Sequence, residues 1–341
     1  MPIFRTSKLY TLDKFIKIEE KNNPHESGEF SSMMLDFIFA VKLIASNIRR
    51  TGMNDLLGLT HEINLHGEVV KKLDVYANLA IIESMRNGGH VYGMISEENE
   101  AIIQVPDHLK SAEYILAFDP LDGSTNIDVC STIGTIFSVL KSVNSSEVSA
   151  CTEENIFQAG YNQVAAGYIL YGSSTILAYT TGAGVHIFTY EPLIGEFVLT
   201  YENIKIPKFG LYYSCNEAYS HRWSTGIRKY MHNIKSYTTA DGKAYCMRYL
   251  ATVAADVHRL LHTGGIYLFP SLPELPEGKI RMLYEANPLA MIIEQAGGIA
   301  STGNERILDI IPESIHQRVP FFVGSPDNIT ELLEFMKEDK L

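Results

Sequence analysis

The feature that most constrains this chain is an apolar stretch that runs directly into two closely spaced acids. Residues 114–118 are apolar and indicate a buried strand, and Pro120 predicts its end because proline cannot donate to a sheet ladder. Asp119 and Asp122 lie three residues apart, ahead of small residues at 123–125. Carboxylates bind hard cations and accessible backbone N–H groups bind phosphate oxygens, so the segment predicts a site for a metal ion and a phosphate.

A plain surface turn and a calcium loop of the EF-hand type are the alternatives for this segment. Asp, Pro, Gly and Ser are ordinary turn formers, so the acidic turn alone does not define a site. An EF-hand would place Glu at the twelfth position counted from Asp119, and that position is Cys130. Adjacent acids at Glu97 and Glu98 follow an apolar run and favour a functional site, because neighbours at a strand end point to opposite faces.

Hydrophobic periodicity predicts helices first and then a series of strands. Helices are expected at residues 11–20, 33–50 and 66–85, with polar loops at 21–32 and 141–155. Strands are expected at residues 114–118, 132–140, 165–171, 175–180, 185–190 and 196–201. Successive strands without long helices between them favour a mainly antiparallel sheet covered by the N-terminal helices.

The pattern changes near residues 203–210, where Lys, Pro and Gly mark a domain boundary. Beyond it, strands and helices alternate, which favours a smaller α/β domain. Strands are expected at residues 212–215 and 266–269, and helices at 251–262, at 289–295 and after Ser325.

Three segments resemble those of class I fructose-1,6-bisphosphatases. They are Ser96-Glu97-Glu98, the run from Phe118 to Asp128, and the run from Gly278 to Glu285. The resemblance extends from about Leu12 to the C-terminus, and the last run separates it from the wider lithium-sensitive phosphatases. It implies a layered α-β-α-β-α sugar-phosphatase fold, of mixed α+β and α/β class, with an N-terminal domain at 1–204 and a smaller α/β domain at 205–341.

The resemblance also implies a metal centre made only of oxygen ligands, which suits two or three Mg²⁺ ions, or Mn²⁺. Its ligands would be Glu97, Asp119, Asp122, Glu285, the Leu121 carbonyl and Glu68, where relatives have Asp. Glu98 is the expected general base, and Asp74 would orient it.

Two phosphate subsites follow from the same resemblance. The phosphate to be cleaved would lie next to Asp122 and close to Arg281. It would accept hydrogen bonds from the backbone amides of Gly123, Ser124 and Thr125. The distal phosphate would contact Asn216, Tyr219, Tyr249, Lys279 and Arg248, the last supplied by a neighbouring subunit of a homotetramer. Many relatives have Tyr where this chain has Phe269.

The activity implied is Mg²⁺-dependent hydrolysis of the 1-phosphate of D-fructose 1,6-bisphosphate, a step of gluconeogenesis. A sedoheptulose-1,7-bisphosphatase or a dual-specificity enzyme is the nearest alternative. A catalytically inactive, metal-binding regulatory protein is the alternative of another class, against which the retained acids argue. An inositol monophosphatase fits less well, because its Trp-Asp motif is missing and Trp223 is followed by Ser224.

Composition bears on partners and compartment. The formal net charge of −12 argues against nucleic acid and anionic membranes as partners. Four Cys without a C-x-x-C motif favour a reducing compartment. No apolar run is expected to span a bilayer and no signal peptide is evident, so a cytoplasmic protein is expected.

A possible effector site lies between the first two predicted helices. In vertebrate relatives this loop binds the phosphate of AMP, and here it consists of Ser27, Gly28, Glu29, Phe30 and Ser31. Tyr114 is retained, but Lys141 replaces an Arg and Glu113 replaces a Lys. A reversed charge beside a phosphate dianion predicts weak or absent inhibition by AMP.

Overall fold

The computed structural model describes residues 9–22, 28–51, 53, 58–63, 69–106, 113–143 and 150–337. The helices are α1 Leu12–Asn22, α2 Gly28–Ile48, α3 Lys72–Gly88, α4 Glu153–Ile156, α5 Thr225–Ser236, α6 Val253–Thr263, α7 Asn287–Gln295 and α8 Pro326–Lys337. The strands are β1 Leu59–Ile63, β2 Val69–Lys71, β3 Gly93–Ser96, β4 Ile103–Gln104, β5 Tyr114–Asp122, β6 Ile133–Lys141, β7 Ala165–Tyr171, β8 Thr175–Thr180, β9 His186–Glu191, β10 Glu196–Tyr201, β11 Tyr212–Ser214, β12 Cys246–Met247, β13 Ile266–Phe269, β14 Ile280–Arg281, β15 Ile299–Ser301, β16 Arg318–Val319 and β17 Phe321–Gly324.

A large sheet organises the first half of the chain. Its eight strands lie in the order β10-β9-β8-β7-β6-β5-β3-β4. Every neighbouring pair is antiparallel except β3 and β5, which are parallel. The prediction of a mainly antiparallel sheet is therefore confirmed, and its one parallel pair positions the site described below.

Helices α1, α2 and α3 cover one face of this sheet through a shared apolar core. In α2, Met33, Phe37, Val41 and Ile44 recur at helical spacing and are fully buried. By length and composition α2 could cross a membrane, so the prediction that no apolar run reaches that length is wrong. Half of its most apolar stretch is buried inside the protein, as in a core helix.

A smaller sheet and two helix layers complete the fold. The five strands lie in the order β12-β11-β13-β17-β15. Helices α6 and α7 share one core with both sheets and lie between them. Helices α5 and α8 pack together on the outer face of the smaller sheet, through residues such as Tyr230 and Leu332. The predicted α-β-α-β-α layering is confirmed.

Several predicted boundaries are wrong. Residues 28–32, expected in a loop, form the first turns of α2, and residues 69–71, expected in a helix, form β2. Residues 153–156, placed in a surface loop, form α4, while α6 begins at Val253 rather than at 251. Helix α5 was not predicted, although Ile227, Tyr230, Met231 and Ile234 are buried at helical spacing.

Candidate active site

The parallel pairing of β3 with β5 brings the two acidic segments together. Ser96 is paired with Phe118, and the Glu97 N–H donates to the Phe118 carbonyl at 3.2 Å. Because parallel strands end at the same edge of a sheet, Glu97 and Glu98 leave β3 beside the acids of β5. A sequence pattern cannot show this pairing, since it depends on which strands are neighbours.

Pro120 does not end β5, contrary to the sequence-based prediction. The strand continues to Asp122, and its register with β6 is irregular between Asp119 and Asp122. The Pro120 carbonyl accepts a hydrogen bond from Thr135 Oγ1 at 2.8 Å. In a regular strand, side chains three positions apart point to opposite faces. The irregularity therefore allows both carboxylates to reach one site.

Asp119, Asp122 and Glu285 form a buried carboxylate cluster. One oxygen of each lies within 4.8 Å of the others. Glu285 arrives from a π-helical turn, Met282–Ala286, that leads into α7. Burial and the neighbouring acids raise the pKa of Asp119 and Glu285 well above the usual range, and burial raises that of Asp122 to about 7. Glu97 contributes to all three shifts, so it lies close to the cluster.

The residues of this cluster fit a divalent cation. Within the described part of the chain, none of the three carboxylates has a Lys or Arg side chain within 4.0 Å. Buried charges require pairing or metal coordination. Donors that are exclusively oxygen select hard ions such as Mg²⁺, Mn²⁺ or Ca²⁺ over zinc.

Helix α3 fixes the turn that carries Glu98. Asp74 is buried on α3, and burial followed by the nearby Glu98 and Glu97 raises its pKa to about 8. One helical turn later, Asn78 accepts a hydrogen bond from Ser96 Oγ at 2.7 Å. Its amide also donates to Asn99 Oδ1 at 2.9 Å.

Asn78 was missed in the sequence, although its i+4 spacing from Asp74 places both side chains on one helix face. That spacing was the available signal.

The turn after β5 lines the cavity through Gly123, Ser124 and Thr125. Gly123 has φ +83°, and a Cβ there would lie 2.1 Å from Thr252 Oγ1, so the position requires glycine. The Asn126 side chain donates to Thr252 Oγ1 at 3.0 Å, which holds the turn against the start of α6.

One cavity of about 200 Å³ joins these groups to cations from the C-terminal half. It is lined by acids and by Arg281, Lys279 and Arg318. Arg318 was absent from the sequence-based prediction, because its position depends on the pairing of β14 with β16. Leu121 also lines the cavity.

The residues predicted for a distal phosphate fall into three groups. Tyr249 and Lys279 line the main cavity together with Phe269. Asn216 and Tyr219 line a small adjacent cavity that shares Phe269.

Arg248 lines neither cavity. Its guanidinium donates to the Met247 carbonyl at 2.8 Å and lies over the Tyr212 ring.

The loop that carries Tyr249 is held by a hydrogen bond between its backbone and Asp256. Buried Asp256 accepts the Leu250 N–H with both carboxylate oxygens, each at 3.2 Å. Burial raises the pKa of Asp256 to about 7 and that of Tyr249 to about 12.

The predicted effector residues lie at the start of α2. Gly28, Glu29, Phe30 and Ser31 occupy its first turn, and the Ser31 N–H donates to Glu20 Oε1 at 3.0 Å. Buried Tyr114 packs edge-on against Phe30 at 5.7 Å. Lys141 pairs with Glu113 at 2.6 Å, with both side chains about half exposed. Ser27 and the predicted metal ligand Glu68 lie outside the described residues.

Comparisons with known proteins agree with this architecture. The family model "Fructose-1-6-bisphosphatase, N-terminal domain" matches residues 10–202, and "Fructose-1-6-bisphosphatase, C-terminal domain" matches residues 206–337. Fructose-1,6-bisphosphatase class 1 of Chlorobium chlorochromatii is 47% identical over 329 residues, covering 96% of this chain and 98% of the relative. The Maridesulfovibrio salexigens protein of the same name is 45% identical over 333 residues, covering 97% and 98%.

A solved structure is also similar. Leishmania major fructose-1,6-bisphosphatase, in its holo form, superimposes with a TM-score of 0.90 at 37% identity, covering 97% of this chain and 99% of that one. The resemblance stated from the sequence is confirmed.

Proposed function

The chain belongs to the fructose-1,6-bisphosphatase family, and from this membership we propose that it hydrolyses the 1-phosphate of D-fructose 1,6-bisphosphate to give fructose 6-phosphate and phosphate. Divalent-metal dependence is implied by the family, and the reaction is typical of gluconeogenesis. The observation that carries the proposal is the buried cluster of Asp119, Asp122 and Glu285 in a cavity that also contains Lys and Arg side chains. Such a cavity suits an anionic, metal-bound substrate.

The proposed cofactor is Mg²⁺, or Mn²⁺, with two to three ions per site. Asp119, Asp122 and Glu285 would hold them, together with Glu97, the Leu121 carbonyl and Glu68. When bound, the metal supplies positive charge to the phosphoryl oxygens and lowers the pKa of a bound water.

Glu98 is proposed to accept the proton of the attacking water. A general base must be held in hydrogen-bonding reach of that proton. The Asn78 hydrogen bonds support this role, because they fix the turn on which Glu98 lies. Asp74 is proposed to orient Glu98, since it is buried close to it.

The chain's own donors would bind the two phosphates of the substrate. The amides of Gly123, Ser124 and Thr125, next to Asp122, and the guanidinium of Arg281 are proposed for the phosphate that leaves. Tyr249, Lys279, Asn216 and Tyr219 are proposed for the distal phosphate, with Arg248 supplied by a second copy of the chain. The position of Arg248 outside both cavities supports a role in a neighbouring site.

A panel assay tests the proposal directly. Phosphate release is measured for fructose 1,6-bisphosphate, sedoheptulose 1,7-bisphosphate and inositol monophosphate, with and without Mg²⁺. We expect Mg²⁺-dependent release that is fastest with the fructose substrate. Faster release from the sedoheptulose substrate would reassign the specificity, and no release from any substrate would favour the inactive regulatory protein.

We also propose a homotetramer in the cytoplasm, divided into domains at 1–204 and 205–341. The apolar residues Leu35, Phe39 and Leu43 recur every four positions on α2 and are 38%, 58% and 39% exposed, which supports association of copies. The described part of the chain contains only free cysteines, which supports a reducing compartment. Light scattering of the purified protein measures the oligomeric state.

Phe269→Tyr is expected to lower KM for fructose 1,6-bisphosphate with little change in kcat. Phe269 lies where the two cavities meet, so a hydroxyl there can donate to the distal phosphate. Such a bond to a charged group is worth about 1.5–3 kcal/mol, and less where water already occupies the place. Steady-state kinetics measure the change, with Phe209→Tyr as a control outside both cavities. An unchanged or higher KM would show that the ring does not face the phosphate.

AMP is expected to inhibit weakly or not at all, and Glu113→Lys is expected to restore inhibition in part. Glu113 forms an ion pair with Lys141 and so neutralises its charge. Glu20 already accepts the hydrogen bond of the Ser31 backbone N–H. At about 5 Å and an effective dielectric near 20, each unit-charge pair is worth roughly 3 kcal/mol before screening. Solvent exposure reduces this value, and since about 1.4 kcal/mol is tenfold, we expect a weakening of about tenfold or more.

The measurement is an AMP titration at saturating Mg²⁺. Glu113→Gln is the matched control, since it releases Lys141 without adding a positive charge. Inhibition of the unmodified protein at low micromolar AMP would contradict the prediction.

A further inference from the structure

Two arginines face each other across the short ladder of β14 and β16. The register pairs Arg281 directly with Arg318. Residues paired in this way have their Cβ atoms about 4.5–5.5 Å apart on the same face, and like charges there are destabilising. Arg281 is 6% exposed and Arg318 is half-buried, so bulk solvent screens this repulsion incompletely.

Neither guanidinium is neutralised by an acid of the described chain. No carboxylate of a described residue lies within 4.0 Å of either group, although both line a cavity rich in acids. Elsewhere in the molecule, the guanidinium of Arg306 pairs with Glu294 at 2.7 Å and Asp309 at 2.6 Å. Arg281 and Arg318 thus both line the cavity, and neither is paired with an acid within the described part of the chain.

We propose that Arg318 is a substrate-binding residue that holds, together with Arg281, the phosphate undergoing hydrolysis. This inference rests on the proposed function. A guanidinium fork matches the geometry of phosphate and binds it bidentately, and an anion between two guanidinium groups converts their repulsion into attraction.

The placement distinguishes this phosphate from the distal one. Arg281 leads directly into the turn that carries Glu285, and the ladder pairs Arg318 with Arg281, which favours the part of the cavity that contains the carboxylate cluster. Negative charge spreads over the phosphoryl oxygens in the transition state, where preorganised cations are most effective. Arg318 therefore acts on kcat as well as on binding.

Arg318→Met tests the assignment, because methionine keeps an unbranched apolar side chain of similar length and removes the guanidinium group. We expect kcat/KM for fructose 1,6-bisphosphate to fall about 10- to 100-fold, the span of a lost hydrogen bond to a charged group, with most of the loss in kcat. Arg318→Lys should be intermediate, since it keeps a point charge. Arg86→Met is the matched control: it makes the same change in net charge at a half-buried position outside the cavity.

Inorganic phosphate gives a second readout that needs no turnover. Calorimetry in Mg²⁺ should show that Arg318→Met binds phosphate about tenfold or more weakly than the unmodified protein and the Arg86 control. If the unmodified protein does not hydrolyse the bisphosphate, the proposed function fails, and this measurement still decides on the role of Arg318. Wild-type kcat/KM together with wild-type phosphate affinity in Arg318→Met overturns the inference.

Two further results would also count against it. A raised KM with unchanged kcat and unchanged phosphate affinity would assign Arg318 to the distal phosphate instead. A purely structural role predicts a lower Tm without ligand, whereas relief of the Arg–Arg repulsion predicts a Tm at or above that of the unmodified protein. If Arg318→Met does not fold, Arg318→Lys supplies the same comparison of kcat and phosphate affinity.

Discussion

Replacing Glu98 by Gln is expected to lower kcat by about 10²–10⁴-fold and to leave KM nearly unchanged, the usual consequence of removing a general base. The amide is similar in size to the carboxylate, so the turn held by Asn78 should keep its conformation. The neutral amide cannot accept the proton of the attacking water. Steady-state kinetics at saturating Mg²⁺ measure the loss.

The pH profile separates a chemical role of Glu98 from a structural one. If Glu98 is the base, the acidic limb of the kcat profile should disappear in Glu98→Gln, while binding of inorganic phosphate remains. Glu154→Gln is the matched control, because Glu154 is exposed and does not line the cavity. Full activity of Glu98→Gln would remove this residue from the mechanism.

The sequence predicted best those strands that are short, mainly apolar runs with turn residues on either side. β7, β8, β10 and β13 were predicted with their observed bounds for this reason. β5 was predicted too short, because the rule that proline ends a strand assumes a regular ladder. Here Pro120 lies where the register with β6 shifts, so its missing N–H costs little.

The candidate site was predictable as a set of residues but not as an arrangement. The acid segments were evident one by one, yet their meeting depends on β3 lying parallel to β5. Likewise, Arg281 could be singled out within its motif. Arg318 can be recognised as a candidate site residue only from the pairing of β14 with β16, which places it opposite Arg281. Pairings between segments distant in sequence follow from packing of the whole chain, which local patterns do not encode.

Replacing Asp119 by Asn is expected to abolish metal binding and to lower kcat/KM by about 10³-fold or more. Loss of a metal ion removes several kcal/mol of transition-state stabilisation, and about 1.4 kcal/mol is tenfold. The same change should stabilise the metal-free protein. Asp119 is buried among Glu97, Asp122 and Glu285, whose charges repel its own. An amide there removes one buried charge.

The pH dependence of stability provides the decisive measurement for Asp119→Asn. Burial raises the pKa of Asp122 from 3.8 to about 7 and that of Asp74 to about 8. Between the unfolded and folded pKa values the folded protein binds more protons, so its stability without metal falls as pH rises from about 4 to 8.

In EDTA we therefore expect the Tm of the unmodified protein to be lower at pH 8 than at pH 6. Asp119→Asn should show a smaller decrease and a higher Tm at pH 8, because one neighbouring charge is gone. Mg²⁺ should raise the Tm of the unmodified protein and leave that of the variant unchanged, since binding to the folded state alone stabilises it. Asp327→Asn, at the exposed start of α8, is the control for the lost charge. Tight Mg²⁺ binding by Asp119→Asn would reject the ligand assignment even if activity were lost.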